Sequence, residues 1–313
     1  MKKIIVTLLA LLLVIGFFFL LEDNKKSKNE IIEKNHWGIN ALKVNETKNK
    51  FKLEGKGISI AILDTGIDYD HRDLHIKKSI NFTKESSDKD NNGHGTQLSG
   101  IINSQKNNIG ITGIAPQSDI YSIKVLNDNK SGDFEQVIKG LKWSIDHKID
   151  IVLMSLGTLK PNSELEKWIK KADQNGTLLI SAIGNLGYQG KGNYIAYPAK
   201  YKEVLSVGAV KKDKRRWSQS SIGSKIDLMA PGKDILTTSL NNKYAYIDGT
   251  SIAASFVAGS AALLKEYDST LSNHEIKNIL IQTAVPLGDK TEYGNGLIDI
   301  EAAIEYVKKQ KTS

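Results

Sequence analysis

Five short apolar runs, set among helical patterns, constrain this chain more than any other feature. They are residues 58–63 (ISIAIL), 120–125, 149–153, 178–182 and 204–210. Each has strand length and the apolar character of a buried strand. Residues 95–103, 133–148, 163–175 and 250–267 carry helical patterns instead. Strands alternating with helices predict an α/β fold, a mostly parallel central sheet with helices on both faces. In such sheets ligands sit at the carboxyl ends of the strands, and the chemically interesting residues fall there.

The N-terminus is a separate unit. Lys2 and Lys3 precede an uncharged run from Ile4 to Leu21, 18 residues dominated by Leu, Ile, Val and Phe. As a helix it reaches about 27 Å, close to the hydrocarbon thickness of a bilayer. A cleaved signal peptide ends in small residues, whereas this run ends Phe17-Phe18-Phe19-Leu20-Leu21-Glu22-Asp23. An uncleaved signal anchor is the favoured expectation, giving a membrane partner and an external domain. Cleavage and secretion form the alternative, and Lys25, Lys26 and Lys28 blur the orientation. The expected organisation is residues 1–21 as anchor or signal, 22–35 as polar linker, 36–309 as one domain and 310–313 as tail.

Removing the N-terminal segments leaves about 275 residues, enough for one large core or two small ones. No repeat of fixed period is present. The net charge of +8, from 43 Lys plus Arg against 35 Asp plus Glu, is scattered. Even Lys211 to Arg216 mixes signs and reads as a solvated loop. No nucleic-acid motif accompanies the charge, so no nucleic-acid partner is expected. Cysteine is absent, which excludes disulfides and thiolate zinc sites.

Four positions stand out, each weak by itself. Asp64 directly follows ISIAIL, where a carboxylate can orient a partner or merely cap a turn. His94, in Gly93-His94-Gly95-Thr96, opens a helix of small residues. Its flanking glycines allow close backbone approach, although a structural histidine would look the same. Ser251, in Gly249-Thr250-Ser251-Ile252-Ala253, stands at a helix N-terminus. Free N–H groups gather there, yet a helix-capping serine would too. Asn185 follows an apolar strand, with an amide able to donate to developing negative charge.

Together, Asp64–Asp68 (D-T-G-I-D), Asp90–Thr96 (D-x-x-G-H-G-T), Ser181–Asn185 (S-x-x-G-N) and Gly249–Ala253 (G-T-S-x-A) resemble the motifs of the subtilase family, in that family's order. The resemblance spans residues 36–309. It implies the subtilisin-like three-layer fold and a serine endopeptidase acting by acyl transfer on a protein or peptide, as a monomer without a catalytic cofactor. Ser251 would be the nucleophile, His94 the base, Asp64 its orienting carboxylate and Asn185 an oxyanion donor.

The same resemblance implies substrate-binding and metal positions. Ser155, Leu156 and Gly157 would line the primary pocket and pair with substrate. Residues 129–132, ending at Gly132, would form the opposite backbone edge. Phe134, Val137 and Leu156 would form a more distant apolar pocket, and Ala196 the base of the primary one. With Leu186 uncharged at the rim, apolar residues are expected before the cut. Asp73, Asn107 and the carbonyls of Gln105, Ile109 and Ile111 match a structural Ca²⁺ loop of hard oxygen donors, with Glu33 loosely aligned as a further ligand.

Two departures qualify the match. Ser255 stands four residues after Ser251, where the family usually has proline, and is expected to shift the nucleophile slightly. Residues 22–35 are too few for the prodomain of many secreted members, which suggests a narrow substrate such as a precursor or leader peptide. A catalytically silent binding module is the main competing reading. A metallohydrolase on Asp64 and His94 lacks a third ligand in recognisable spacing. His71, His75, His147 and His274 read as surface or structural residues.

Overall fold

A computed structural model describes residues 36–189 and 192–312. The apolar run, the linker and Glu33 lie outside these residues. No helix among the described residues is long and apolar enough to cross a membrane.

In chain order the elements are α1 (Trp37–Ala41), α2 (Val44–Phe51), β1 (Ser59–Asp64), β2 (Ile76–Asn81), α3 (His94–Asn103), β3 (Asp119–Lys124), α4 (Phe134–Asp146), β4 (Ile151–Met154), α5 (Ser163–Gln174) and β5 (Leu178–Ala182). Then come β6 (Leu205–Val210), β7 (Leu228–Pro231), β8 (Ile235–Ser239), β9 (Lys243–Ile247), α6 (Thr250–Tyr267), α7 (Asn273–Gln282), α8 (Lys290–Tyr293) and α9 (Ile300–Thr312). The apolar runs become β1, β3, β4, β5 and β6. They join an all-parallel sheet in the order β2-β3-β1-β4-β5-β6-β7. Among the strands named here, β8 and β9 pair antiparallel, as a separate hairpin.

Alternate residues of each central strand feed two cores. Ile60 and Ile62 of β1, with Ile151 and Leu153 of β4, pack on the face holding α3, α6, α7 and α9. Ala61, Leu63, Val152 and Met154 face the opposite core with α4 and α5. Burial on both faces is why these strands read as unbroken apolar runs. The predicted α/β architecture is thus present. Helix α6 is an unusual element. From Thr250 to Leu264 every residue but Ser251 is buried, as its continuous small and apolar sequence requires. Gly259 lets it approach Ile114, because a Cβ there would lie 2.8 Å from the Ile114 Cβ. The carboxyl ends of β1, β4 and β5 and the N-terminus of α6 therefore meet at one edge of the sheet.

Candidate active site

Asp64 is the last residue of β1 and is fully buried. Its backbone carbonyl accepts the N–H groups of Val125 (2.9 Å) and Leu126 (3.0 Å). Its Oδ1 accepts the Thr65 N–H at 2.8 Å and contacts His94 Nδ1 at 2.7 Å. A carboxylate oxygen accepts, so this contact is made through Nδ1–H and Nε2 takes no part in it.

His94 opens α3, whose start is built by Asp90. One Asp90 oxygen accepts the Asn92 and Gly93 N–H groups, and the other takes the Thr96 N–H and hydroxyl. The D-x-x-G-H-G-T spacing is thus a helix-start device. Gly93 adopts φ +100° as the helix begins. Gly95 is required by close approach, since a Cβ there would sit 2.0 Å from the Gly66 carbonyl.

Ser251 is the second residue of α6, with Gly249 at the cap position, so a capping role does not account for it. Its hydroxyl lies 3.5 Å from the Ser155 carbonyl, and the Ser155 hydroxyl lies 3.5 Å from the Ser251 carbonyl. Both contacts are at the limit of hydrogen bonding. Among the described residues no hydrogen bond joins Ser251 to His94, although both line one cleft of about 580 Å³. Such contacts are often long before substrate arrives.

Asn185 reaches the same place from the loop after β5. Its Oδ1 accepts the Thr250 N–H (3.1 Å) and hydroxyl (2.9 Å). Those donors fix the amide orientation and leave Nδ2 to face away from them; a Cβ at Gly249 would be 3.8 Å from it. The loop itself is held by the Ser221 hydroxyl, which accepts the Leu186 N–H at 3.1 Å. Sequence reasoning missed Thr250 and Ser221 as supports; Thr250 was visible only as part of G-T-S-x-A.

The predicted substrate positions fall together. Gly132, Phe134, Val137, Ser155, Leu156 and Gly157 line the 580 Å³ cleft. A second cavity of about 320 Å³ adjoins it, shares Ser155, Leu156, Gly157, Asn185 and Ser251, and adds Ala196, Leu186 and Leu159. All residues lining this second cavity are uncharged. Leu159 is half exposed at its mouth and was not anticipated. The site of the proline departure is undistorted in secondary structure. Helix α6 runs unbroken through Ser255, whose buried hydroxyl donates to the Ser251 carbonyl at 3.2 Å.

The metal candidates form a second cluster. Asp73 is buried, and its carboxylate accepts from Asn107 Nδ2 (3.1 Å), the Ile111 N–H (3.3 Å) and the Tyr244 hydroxyl (3.0 Å). Ile109 N–H donates to Asn107 Oδ1, and Gln105 N–H to the Asp73 carbonyl. Burial pushes the Asp73 carboxyl up to about 6 against these bonds. A buried carboxylate met only by neutral donors is unbalanced in charge, and a hard divalent cation would correct that. The donor set fits calcium. Tyr244 and the buried His71, whose rings meet edge to face at 5.4 Å, border the cluster and were not foreseen there. Among the described residues no group of three or more His, Cys, Asp or Glu is placed to hold a metal, so Asp64 and His94 have no third such partner.

A buried aspartate against a half-buried histidine, a cleft that the histidine shares with a half-buried serine at a helix N-terminus, and a parallel α/β sheet beneath define a serine hydrolase. The sequence profile of the subtilase family matches residues 55–296. Subtilisin DY of Bacillus licheniformis is 38% identical over 270 residues, covering 86% of this chain and 98% of its own. Subtilisin Savinase of Lederbergia lenta is 38% identical over 268 residues, 85% of this chain and 97% of its own. A thermostable alkaline protease of Halalkalibacterium halodurans is 40% identical over 263 residues, 84% of this chain and 71% of its own. The chain belongs to the subtilase family and is a subtilisin-like serine endopeptidase.

Proposed function

We propose that this endopeptidase cuts peptide chains through Ser251, His94, Asp64 and Asn185. The observation that carries the reading is the 2.7 Å contact between Asp64 Oδ1 and His94 Nδ1: a carboxylate accepts there from Nδ1–H, which leaves Nε2 as the basic atom. His94 Nε2 takes the Ser251 proton as Oγ attacks the scissile carbonyl, then returns it to the leaving amine. Asp64 stabilises the imidazolium. The Asn185 Nδ2 and the Ser251 backbone N–H receive the oxyanion. Water then repeats the sequence on the acyl-enzyme.

Substrate lies extended between residues 129–132 and 155–157, pairing through main-chain groups. The uncharged second cavity supports an apolar side chain before the cut, and Ala196 makes its base shallow. Asp73, Asn107 and the carbonyls of Gln105, Ile109 and Ile111 would hold Ca²⁺, which cancels the buried charge and stiffens the loop. The protein acts as a monomer outside the cell, tethered or released at residues 1–21, on a narrow substrate such as a precursor peptide.

Digestion assays test this. The parent protein should cleave a leader-type peptide after apolar residues, and Ser251→Ala should not. Rapid, unselective digestion of casein would overturn the narrow substrate, and cleavage by Ser251→Ala would overturn the mechanism. For the metal, excess chelator should lower the melting temperature of the parent but not of Asp73→Asn; equal shifts would refute the site.

A further inference from the structure

Lys124 closes β3 with its side chain fully buried, an uncommon place for a lysine. It is the register partner of Asp64 on β1. Its Nζ donates to the Thr65 carbonyl at 2.7 Å and to Asp128 Oδ1 at 2.8 Å, and Glu85 Oε2 forms an ion pair at 3.0 Å. Burial alone would lower its pKa, but hydrogen bonds to Asp128 and Glu85 outweigh burial and hold it above the usual value. Lys124 is therefore a buried cation.

Each partner leads to a different part of the site. Thr65 follows Asp64, and its hydroxyl accepts the N–H of Gly95, next to His94, at 3.1 Å. Asp128 takes Asn91 Nδ2 on its other oxygen (3.0 Å) and Asn92 Nδ2 on its carbonyl (2.7 Å). Those asparagines belong to the loop that leads into His94. Asp128 also immediately precedes residues 129–132, the substrate edge. Glu85 Oε1 accepts the Asp128 N–H at 3.0 Å.

We propose that the Lys124–Glu85–Asp128 cluster is a positioning device that ties the substrate edge to the Asp64–His94 pair. Stability is a poor explanation for it. One buried lysine paired with two half-exposed carboxylates contributes little net folding energy, since exposed pairs are screened and apolar replacement of an ion cluster is often neutral or stabilising. Geometry is the better one, because three charged groups fix the turn after the acid, the loop before the base and the start of the loop 129–132 that is to pair with the peptide. A displacement of about 1 Å at such groups is enough to lower turnover about a hundredfold. Lys124 touches no reacting atom; it acts through Thr65 and Asp128.

The inference rests on the proposed mechanism, and its test separates the two. Kinetics are measured per active site, after burst titration, on a small acyl ester that does not reach residues 129–132 and on an extended peptide. Lys124→Met alone leaves two carboxylates unpaired, so the triple variant Lys124→Met/Glu85→Gln/Asp128→Asn is made as well. It should melt within a few degrees of the parent. On the ester its kcat should fall about tenfold or more with KM unchanged within about twofold, and on the peptide KM should rise as well. The single variant Asp128→Asn should move both substrates the same way by a few-fold. A triple variant whose kcat on the ester stays within twofold of the parent overturns the proposal. So does a loss confined to the titrated active fraction. If the parent itself fails to hydrolyse the ester, the mechanism fails instead.

Discussion

The two halves of the site are built to different tolerances. On the acid–base side, Asp64 and His94 are held by a short contact at 2.7 Å, by Asp90 at the start of α3 and by backbone bonds from Val125 and Leu126. On the nucleophile side, the Ser251 hydroxyl has, among the described residues, only a 3.5 Å contact to the Ser155 carbonyl. Asn185 is the better fixed member there, through Thr250. Under the proposed mechanism the difference follows from what each half must do. The base has to keep one tautomer and one ring orientation throughout, so its surroundings are rigid before substrate binds. The serine has to move from hydroxyl to acyl ester, and tight bonds to its oxygen would oppose that step.

The largest effect is expected of Ser251→Ala. Turnover should fall about 10⁶-fold, the loss known for subtilisin itself, with the fold and the Asp64–His94 contact intact. Stopped or ordinary peptide kinetics against a circular-dichroism control measures it. Asn185→Ala should lower kcat about 10²–10³-fold with little change in KM, again the magnitude known for subtilisin's oxyanion asparagine. A comparable rise in KM would mean that Asn185 binds ground-state substrate instead.

A third perturbation acts beneath the nucleophile helix. His36 is buried, neither ring nitrogen has a partner among the described residues, and its ring is edge-on to Phe256 of α6 at 5.4 Å. Burial pulls its pKa down to about 4 from 6.5. Folding therefore keeps the ring neutral while the unfolded chain protonates it, and its contribution to stability is complete above pH 6.5. As pH falls from 6.5 to 4 that contribution is lost, by about 3 kcal/mol in all. His36→Phe should flatten urea-denaturation stability over that window; an unchanged slope would contradict the assignment.

Smaller effects sharpen the same contrast. Thr250→Val removes a hydroxyl that orients Asn185 and should lower kcat by about two- to tenfold, the value of one hydrogen bond. Ser255→Ala removes the bond to the Ser251 carbonyl, and since the backbone bonds of α6 remain, kcat should change by less than about threefold. A larger loss would show that this hydroxyl takes over the role of the family's proline.

How much of this the sequence made legible divides along a physical line. Burial on both faces writes itself as apolar runs, so β1, β3, β4, β5 and β6 were readable, and Leu178–Ala182 and Thr250–Tyr267 were read to the residue. The edge strand β2, with Lys77 and Lys78, carries no such run, and the buried β7 is only four residues long and ends in Pro231; both were missed. The chemical residues were legible because their neighbours are constrained too: Gly95 by its approach to Gly66, Asp90 by the start of α3. Lys124 was not, because a lysine within an apolar run has no local signature of the two carboxylates that pair with it.

In the proposed mechanism Ser251 is a nucleophile activated by His94. Labelling the folded protein with a fluorophosphonate, followed by mass spectrometry of the peptide carrying the adduct, tests it most directly. One adduct on Ser251, absent in Ser251→Ala and formed far more slowly in His94→Ala, is the predicted result. A folded parent that takes no label, or a label that persists in Ser251→Ala, would contradict it.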